Sequence, residues 1–346
     1  MTMGPMNTDE PTPSSPTRGA NADADAAGDD APRLRLGISS CLLGENVRYD
    51  GGHKRDTFLT VGLARWVEWV PVCPEVEVGM GIPRESVRLV GDRAAPRMVG
   101  IRSSRDWTDE MQTWAAQRAA KLRALRLHGF VLTKNSPSCG LFAVKVYENA
   151  VAPVKKGRGL WAAALAAADP LLPLEEDGRL CDAKLRENFV DRIFAHERWM
   201  RFIDEDGSRK GLVRFHTVHK LSILSHSPER YKALGRLVAG AGQQTPAALR
   251  DAYGRAFMEA MAVPTTRGRH VNVLQHLAGF LKRDVDAADR DEVARTIADY
   301  QAGHVPLVVP VTLLRHHLRR IPDAAWAFEQ VYVSPYPREL MIRNHV

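Results

Sequence analysis

Cysteine occurs only four times in this chain, at positions 41, 73, 139 and 181. Three of the four share a setting. Cys41 closes "LRLGISSC" and opens "LLGENVRYDGG"; Cys73 closes "WVPVC" and opens "PEVEVGMG"; Cys139 lies just past "FVLT", in "KNSPSCG". Each follows a short apolar run and enters a segment rich in Gly, Pro, Asn or Ser, the punctuation of turns. Such a thiol can be a metal ligand, a nucleophile or a small buried hydrophobe. Zinc usually takes four protein ligands, or three and water, often with a C-x-x-C pair. No such pair occurs here. An iron–sulfur cluster takes cysteine thiolates, normally four. With three, one iron stays open and can act as a Lewis acid. The spacings of 32 and 66 residues match no ferredoxin run. From the residues alone, zinc, a cluster and coincidence all remain open.

These thiols need elements to position them. "LRLGIS" (34–39), "VPVC" (70–73), "FVLT" (130–133) and "FAVKVY" (142–147) read as strands. Leu59, Leu63, Trp66 and Val70 recur at helical spacing, which predicts a helix over 57–70. A stronger helix is predicted over 107–129, with Thr108 and Asp109 as capping groups and Gly129 as a stop. Strand–helix–strand alternation favours a parallel, Rossmann-like α/β sheet with helices on both faces. In such a sheet the loops beyond the carboxyl ends of the strands form the ligand crevice. Three cysteines at adjacent strand ends would converge there. The expected organisation is a tail at 1–32, an α/β domain at 33–165, a linker at 166–185 and an all-α domain at 186–346.

Around the cysteines stand other reactive groups. Glu75, two residues past Cys73, is a candidate acid/base. Ser136 and Ser138 flank Pro137 beside Cys139, and Ser136 is the preferred substrate- or water-orienting hydroxyl. Arg48, Asp50, His53, Lys54 and Arg55 crowd the first cysteine loop, and Lys134 opens the third. Arg48, Lys54 and Lys134 are candidate contacts to a phosphate or a negatively charged cluster. "GENVRYDGG" is no P-loop, which argues against a nucleoside triphosphate.

The formal net charge is +7. Residues 1–32 carry one Arg against six acids and lack a basic-then-apolar leader, so they read as a disordered tail. Residues 186–346 carry 24 Lys and Arg against 18 Asp and Glu, and ten of the 12 histidines. A basic half suits a polyanion. "RHHLRR" (315–320) is its densest patch, with Arg315, Arg319 and Arg320 as candidate RNA contacts. His216, His219 and Lys220 share one helical face, with Arg230 and Lys232 nearby. Tyr231, Tyr300, Tyr332 and Tyr336 are possible stacking partners for bases. No run approaches the ~20 apolar residues of a membrane span, and the few scattered cysteines fit a reducing compartment. The expected location is the cytoplasm.

"SSCLLGENVRYDGGHKRD", "PVCPEVEVGMGIPRE" and "KNSPSCG" resemble, in order, the three signature segments of the thiouracil desulfidase family. The resemblance spans roughly residues 34–165. It implies a 4Fe-4S cluster held by Cys41, Cys73 and Cys139, and removal of sulfur from a thiolated pyrimidine. "HTVHKLSILSHSPERY", "GRHVNVLQHLAGFLKR" and "VPLVVPVTLLRHHLRR" are similar to the domain fused to it in longer members, which look like tRNA 4-thiouridine desulfidases. Cys181 departs from the pattern, since relatives are expected to carry histidine there. The implied reaction is non-redox conversion of 4-thiouridine in tRNA to uridine, with release of hydrogen sulfide. Glu75 would move protons and Ser136 would fix substrate or water. Two alternatives stand beside it: a desulfidase of free thiouracil or thiolated nucleotides, and a non-catalytic nucleic-acid-binding protein with a structural metal.

Overall fold

The computed structural model describes residues 33–148 and 153–346. The expected tail at 1–32 lies outside the described residues. Two sheets and a helical half make up the rest.

The main sheet is parallel throughout. Its strands are β1 (Leu34–Ser39), β2 (Val67–Val72), β5 (Gly129–Leu132) and β8 (Leu174–Glu176), in the order β2-β1-β5-β8. From β1 the chain adds β2 on one side, then crosses to place β5 and β8 on the other. Ligand crevices in open α/β sheets form at such a reversal, beyond the carboxyl ends of the strands.

Both faces are covered, from different parts of the chain. On one face Phe130, Leu132 and Val72 pack against Ala115, Ala119 and Leu122 of α1 (Thr108–Ala124), and Trp161, Ala162 and Leu165 of α2 (Leu160–Ala168). On the other, Leu34, Leu36, Ile38 and Val131 meet Leu59 and Leu63, then Phe189, Val190 and Ile193 of α3 (Ala183–Glu205). Tyr336 and Ile342, near the C-terminus, close the same cluster. The helical half thus supplies the second layer of the sheet. Gly37 serves this packing directly: a Cβ there would come within 2.1 Å of the Phe130 ring.

Two expectations need correcting, and one feature was not foreseen. The helix expected over 57–70 is a single helical turn, Phe58–Gly62, followed by β2. Only Leu59 and Leu63 of its apolar spacing are buried, and Val67–Val72 is drawn into pairing with β1. The stretch expected to link the domains carries β8, the fourth strand of the main sheet. A second, mixed sheet was not expected. It orders β4 (Arg97–Gly100), β3 (Val87–Val90), β6 (Val144–Tyr147) and β7 (Val154–Gly157), and buries Leu89, Met98, Val144 and Val146 against Trp107 and Met111.

The helical half continues with α4 (Arg209–His226), α5 (Pro228–Ala239), α6 (Pro246–Met261), α7 (Arg267–Ala278), α8 (Ala287–Ala302) and α9 (Val308–Leu318). Side-chain caps start most of them: Asp182 for α3, Ser208 for α4, Ser227 for α5, Thr245 for α6 and Asp286 for α8. Among the described residues no helix is long and apolar enough to cross a membrane.

Candidate active site

Three adjacent strands deliver the three thiols. β1 lies between β2 and β5, and Cys41, Cys73 and Cys139 follow them at their carboxyl ends. Cys41 sits in the helical turn Ser40–Leu43, directly after β1. Cys73 stands between β2 and the one-turn helix Pro74–Glu77. Proline suits that first helical position, where its missing N–H loses no bond. All three thiols line one cavity of about 530 Å3.

The Cys139 loop is tied from several sides. The Ser136 hydroxyl accepts from the Ser138 amide at 3.3 Å and the Cys139 amide at 3.1 Å. The buried Glu176 carboxylate of β8 accepts from Leu141 at 2.7 Å and Phe142 at 3.0 Å. Gly159 passes so close that a Cβ would lie 2.4 Å from the Ser138 carbonyl oxygen.

Burial governs the thiols. It pushes Cys73 up to about 11 and Cys139 well above the usual thiol range. Burial also raises Cys41, against the Thr133 hydroxyl at 3.1 Å and the Arg48 and Lys54 charges, which pull it down. The sulfurs feel one another's charge: Cys41 raises Cys73, and both raise Cys139. As free thiols all three therefore stay protonated near neutral pH. A thiophilic metal group reverses this, because its positive charge replaces the protons.

The donor set suits a group larger than one ion. Three thiolates on a single zinc would stand roughly 3.8 Å apart, given Zn–S bonds near 2.3 Å. Among the described residues no three Cys, His, Asp or Glu side chains are gathered closely enough for one metal ion. The three thiols instead ring a cavity with cationic side chains beside them, which fits an anionic iron–sulfur cluster.

Glu75 enters the same cavity. Arg84 donates to its Oε2 through Nε at 2.9 Å and Nη2 at 2.6 Å. The Arg84 side chain is 6% exposed and that of Glu75 14%. Arg84 Nη1 also donates to the carbonyls of Val47 and Gly81, both at 3.0 Å, so the guanidinium ties the first two cysteine loops together. With Oε2 occupied, Oε1 meets the serines: Ser138 Oγ donates at 2.5 Å and Ser136 Oγ at 3.4 Å. The two hydroxyls lie 3.0 Å apart.

The remaining wall is basic. Arg48, Lys54 and Lys134 line the cavity, joined by Arg88, Lys145 and Tyr147 of the second sheet. Asp177, just past β8, pairs with Lys54 Nζ at 2.6 Å and accepts from the Lys134 amide at 2.8 Å. Asp50, His53 and Arg55 share the first loop but do not line the cavity. Sequence reasoning missed Arg84 and Asp177, and ranked Ser138 below Ser136. Only Ser138 carried a visible signal, its place beside Cys139.

The helical half diverges from expectation at several positions. His219 is buried and stacks on Phe215, with ring centroids 3.9 Å apart. His216 pairs with the Tyr253 hydroxyl at 3.0 Å. Tyr300, Tyr332 and Tyr336 are core residues, so none of these three is a stacking surface for RNA. Cys181 is exposed and stands outside the cysteine cavity. Arg315 and Arg319 line a separate cavity of about 500 Å3, and Arg320 is exposed next to them in the chain.

Comparison with known proteins yields two family matches. A family described as 2-thiouracil desulfurase matches residues 36–177, and a protein family of unknown function, DUF1722, matches residues 220–337. The uncharacterized protein YbgA of Escherichia coli (strain K12) is 30% identical over 154 residues, covering 44% of this chain and 90% of YbgA. The uncharacterized protein YbbK of Bacillus subtilis (strain 168) is 31% identical over 108 residues, covering 30% of this chain and 71% of YbbK. A solved structure described as the [4Fe-4S]-dependent thiouracil desulfidase TudS is 26% identical; the match covers 43% of this chain and 94% of that one, with a TM-score of 0.35.

Proposed function

The chain belongs to the 2-thiouracil desulfurase family, and from that premise we propose that it converts 4-thiouridine in tRNA to uridine, releasing hydrogen sulfide. One observation carries the chemistry: three thiols from adjacent strand ends, two buried and that of Cys73 half-buried, line a cavity that also holds a clamped carboxylate. Cys41, Cys73 and Cys139 would hold a 4Fe-4S cluster. Bound there, the cluster supplies an electrophilic iron without a protein ligand, able to take up sulfur.

The chain's own residues handle water and protons. The thiocarbonyl carbon exchanges sulfur for the oxygen of one water, and both water protons leave with the sulfide. No electrons are gained or lost overall. Glu75 Oε1 is the proton acceptor, since Arg84 occupies Oε2. Ser138 holds Oε1 in place. Ser136 shapes the Cys139 loop through its two amide contacts and bridges Ser138 towards the cavity. Arg48, Lys54 and Lys134 attract an anionic substrate. The reacting base must leave its stack to reach the cavity.

The tRNA reading rests on the excess of Lys and Arg over residues 186–346 and on the arginines of the second cavity. A desulfidase of the free base is the second reading, favoured by the family's own description. A substrate comparison separates them: thiolated tRNA against 4-thiouracil. The metal assignment has its own test. Alanine at Cys41, Cys73 or Cys139 abolishes iron retention after anaerobic reconstitution, while Cys181→Ala retains about four irons per chain. Iron loss in Cys181→Ala alone, or zinc with no iron uptake, overturns the assignment.

A further inference from the structure

One wall of the cysteine cavity comes from the second sheet, and the sulfur chemistry above makes no use of it. β3 and β6 run parallel there, with Leu89 beside Val146 and Val90 beside Tyr147. Leu89 and Val146 are fully buried on the core face. Side chains alternate along a strand. Arg88 and Lys145, one step back along each strand, therefore stand together on the other face. Both are exposed, and both line the cavity that holds Cys41, Cys73 and Cys139. Tyr147 shares that face, and the Arg88 guanidinium lies over its ring, 5.2 Å from the centroid.

Two cations side by side on neighbouring strands repel, whereas opposite charges at such a position attract. Among the described residues neither side chain forms an ion pair. Glu75 is the one carboxylate in the described lining, and Arg84 holds it. Two other cations of the lining are matched: Lys54 pairs with Asp177 at 2.6 Å and Arg48 with Asp50 at 3.5 Å. Packing does not ask for this pair, because the buried contacts of these strands come from Leu89 and Val146. An anion in the cavity would relieve the repulsion. The planar fork of Arg88, braced on Tyr147, suits phosphate oxygens, and Lys145 adds a point charge beside it.

We infer that Arg88 and Lys145 are a phosphate site for the substrate, so that this cavity takes a thiolated nucleotide in preference to the free base. The inference rests on the desulfidase reading above and specifies how its substrate lies: sulfur towards the cysteines, phosphate on the second sheet. A free thiopyrimidine has no group to offer these two cations. The phosphate can be the terminal group of a mononucleotide or a diester of an RNA strand, and the chemistry is shared.

The test uses the full-length, iron-reconstituted chain and reads binding, with three sulfur-free probes: uridine, uridine monophosphate and unmodified tRNA. Each variant is checked by a thermal melt and by iron content. Arg88→Gln with Lys145→Gln removes both charges. It should weaken at least one phosphate-bearing probe about tenfold or more, the worth of a charge-assisted contact, and leave uridine as it was. Lys145→Glu should do the same while holding or raising the melting temperature, because an acid beside Arg88 completes a cross-strand ion pair. Loss with the monophosphate assigns the site to a terminal phosphate; loss with tRNA alone assigns it to a strand's diester. Unchanged binding of both by folded Lys145→Glu, or an equal loss with uridine, overturns the inference. So does a Lys145→Glu chain that fails to fold, since the pair is given no structural role. Iron lost from a folded variant would assign the pair to the metal group and overturn it as well. Failure on these probes leaves desulfuration standing. A parent that binds phosphate through this pair but releases no sulfide from any thiolated substrate overturns the desulfidase reading and leaves the site.

Discussion

The Ser138 hydroxyl donates to Glu75 Oε1 at 2.5 Å, although the two residues stand 63 positions apart in the chain. That bond joins the second cysteine loop to the third. It also ranks the two serines, because Ser136 reaches the same oxygen only at 3.4 Å.

Ser138→Ala should therefore slow sulfide release more than Ser136→Ala. The expected loss is about 10–100-fold, the kinetic equivalent of one hydrogen bond to a charged group. Glu75→Gln should cost more, about 10²–10⁴-fold, because it removes the proton acceptor itself. All three variants should keep the iron. Sulfide-release rates and iron content measured together check this. Equal rates for the two serine variants would return Ser138 to a structural role.

Arg84 is a positioning residue whose loss is felt twice. It pairs with Glu75 and ties the Val47 and Gly81 carbonyls. Arg84→Ala should destabilise the chain by about 3–5 kcal/mol, since it leaves a mostly buried carboxylate unpaired. Removing Glu75 as well should recover part of that loss. Chemical denaturation of the two single variants and the double gives the coupling directly. Additive losses would show that the pair does not act as a unit.

How much of this site was legible depended on what each residue needed from the fold. The cysteines and Glu75 announce themselves, because each breaks a short apolar run at a turn. Their convergence followed once the strands were adjacent, and pairing of β1 with both β2 and β5 meets that condition. Arg84 carried no such mark. Its partnership with Glu75 depends on how the glycine-rich stretch 78–84 folds back, and residue types do not reveal that path. The second sheet was missed for a similar reason: "FAVKVY" was read as a strand and holds β6, but its three partner strands are only four residues long and lie among Gly and Pro. His219 shows the opposite failure. Its helical spacing with His216 and Lys220 suggested a surface face, but that spacing is equally compatible with the core, where Phe215 receives it.

Buried histidines make stability depend on pH. Burial pushes His128 and His216 down to about 4, and His196 and His219 down to about 3. His270 is pushed well down for the same reason. In the unfolded chain each returns to about 6.5. The unfolded state therefore binds more protons as pH falls below that value, so the contribution present above pH 6.5 is lost on acidification. Each histidine should remove up to about 1.4 kcal/mol per pH unit. Urea midpoints between pH 7.5 and pH 4.5, as buffer settings on the order of these unfolded values, should drop steadily below about 6.5. A flat profile would mean that these imidazoles are not held neutral.

The two halves share one core, and a substitution in one should be felt in the other. Phe189 on α3 is fully buried against the main sheet. Phe189→Ala should cost about 3–5 kcal/mol and lower the melting temperature of the sheet and helical signals together. A melt that splits, with the cysteine half unaffected, would show that the halves fold independently.

The central claim concerns the substrate. The most direct measurement incubates the anaerobically reconstituted chain with bulk thiolated tRNA and follows hydrogen sulfide together with the loss of 4-thiouridine absorbance. Sulfide released in step with that loss, and uridine recovered in the tRNA, is the predicted result. Thiolated tRNA left intact by a preparation that desulfurates free 4-thiouracil would contradict it.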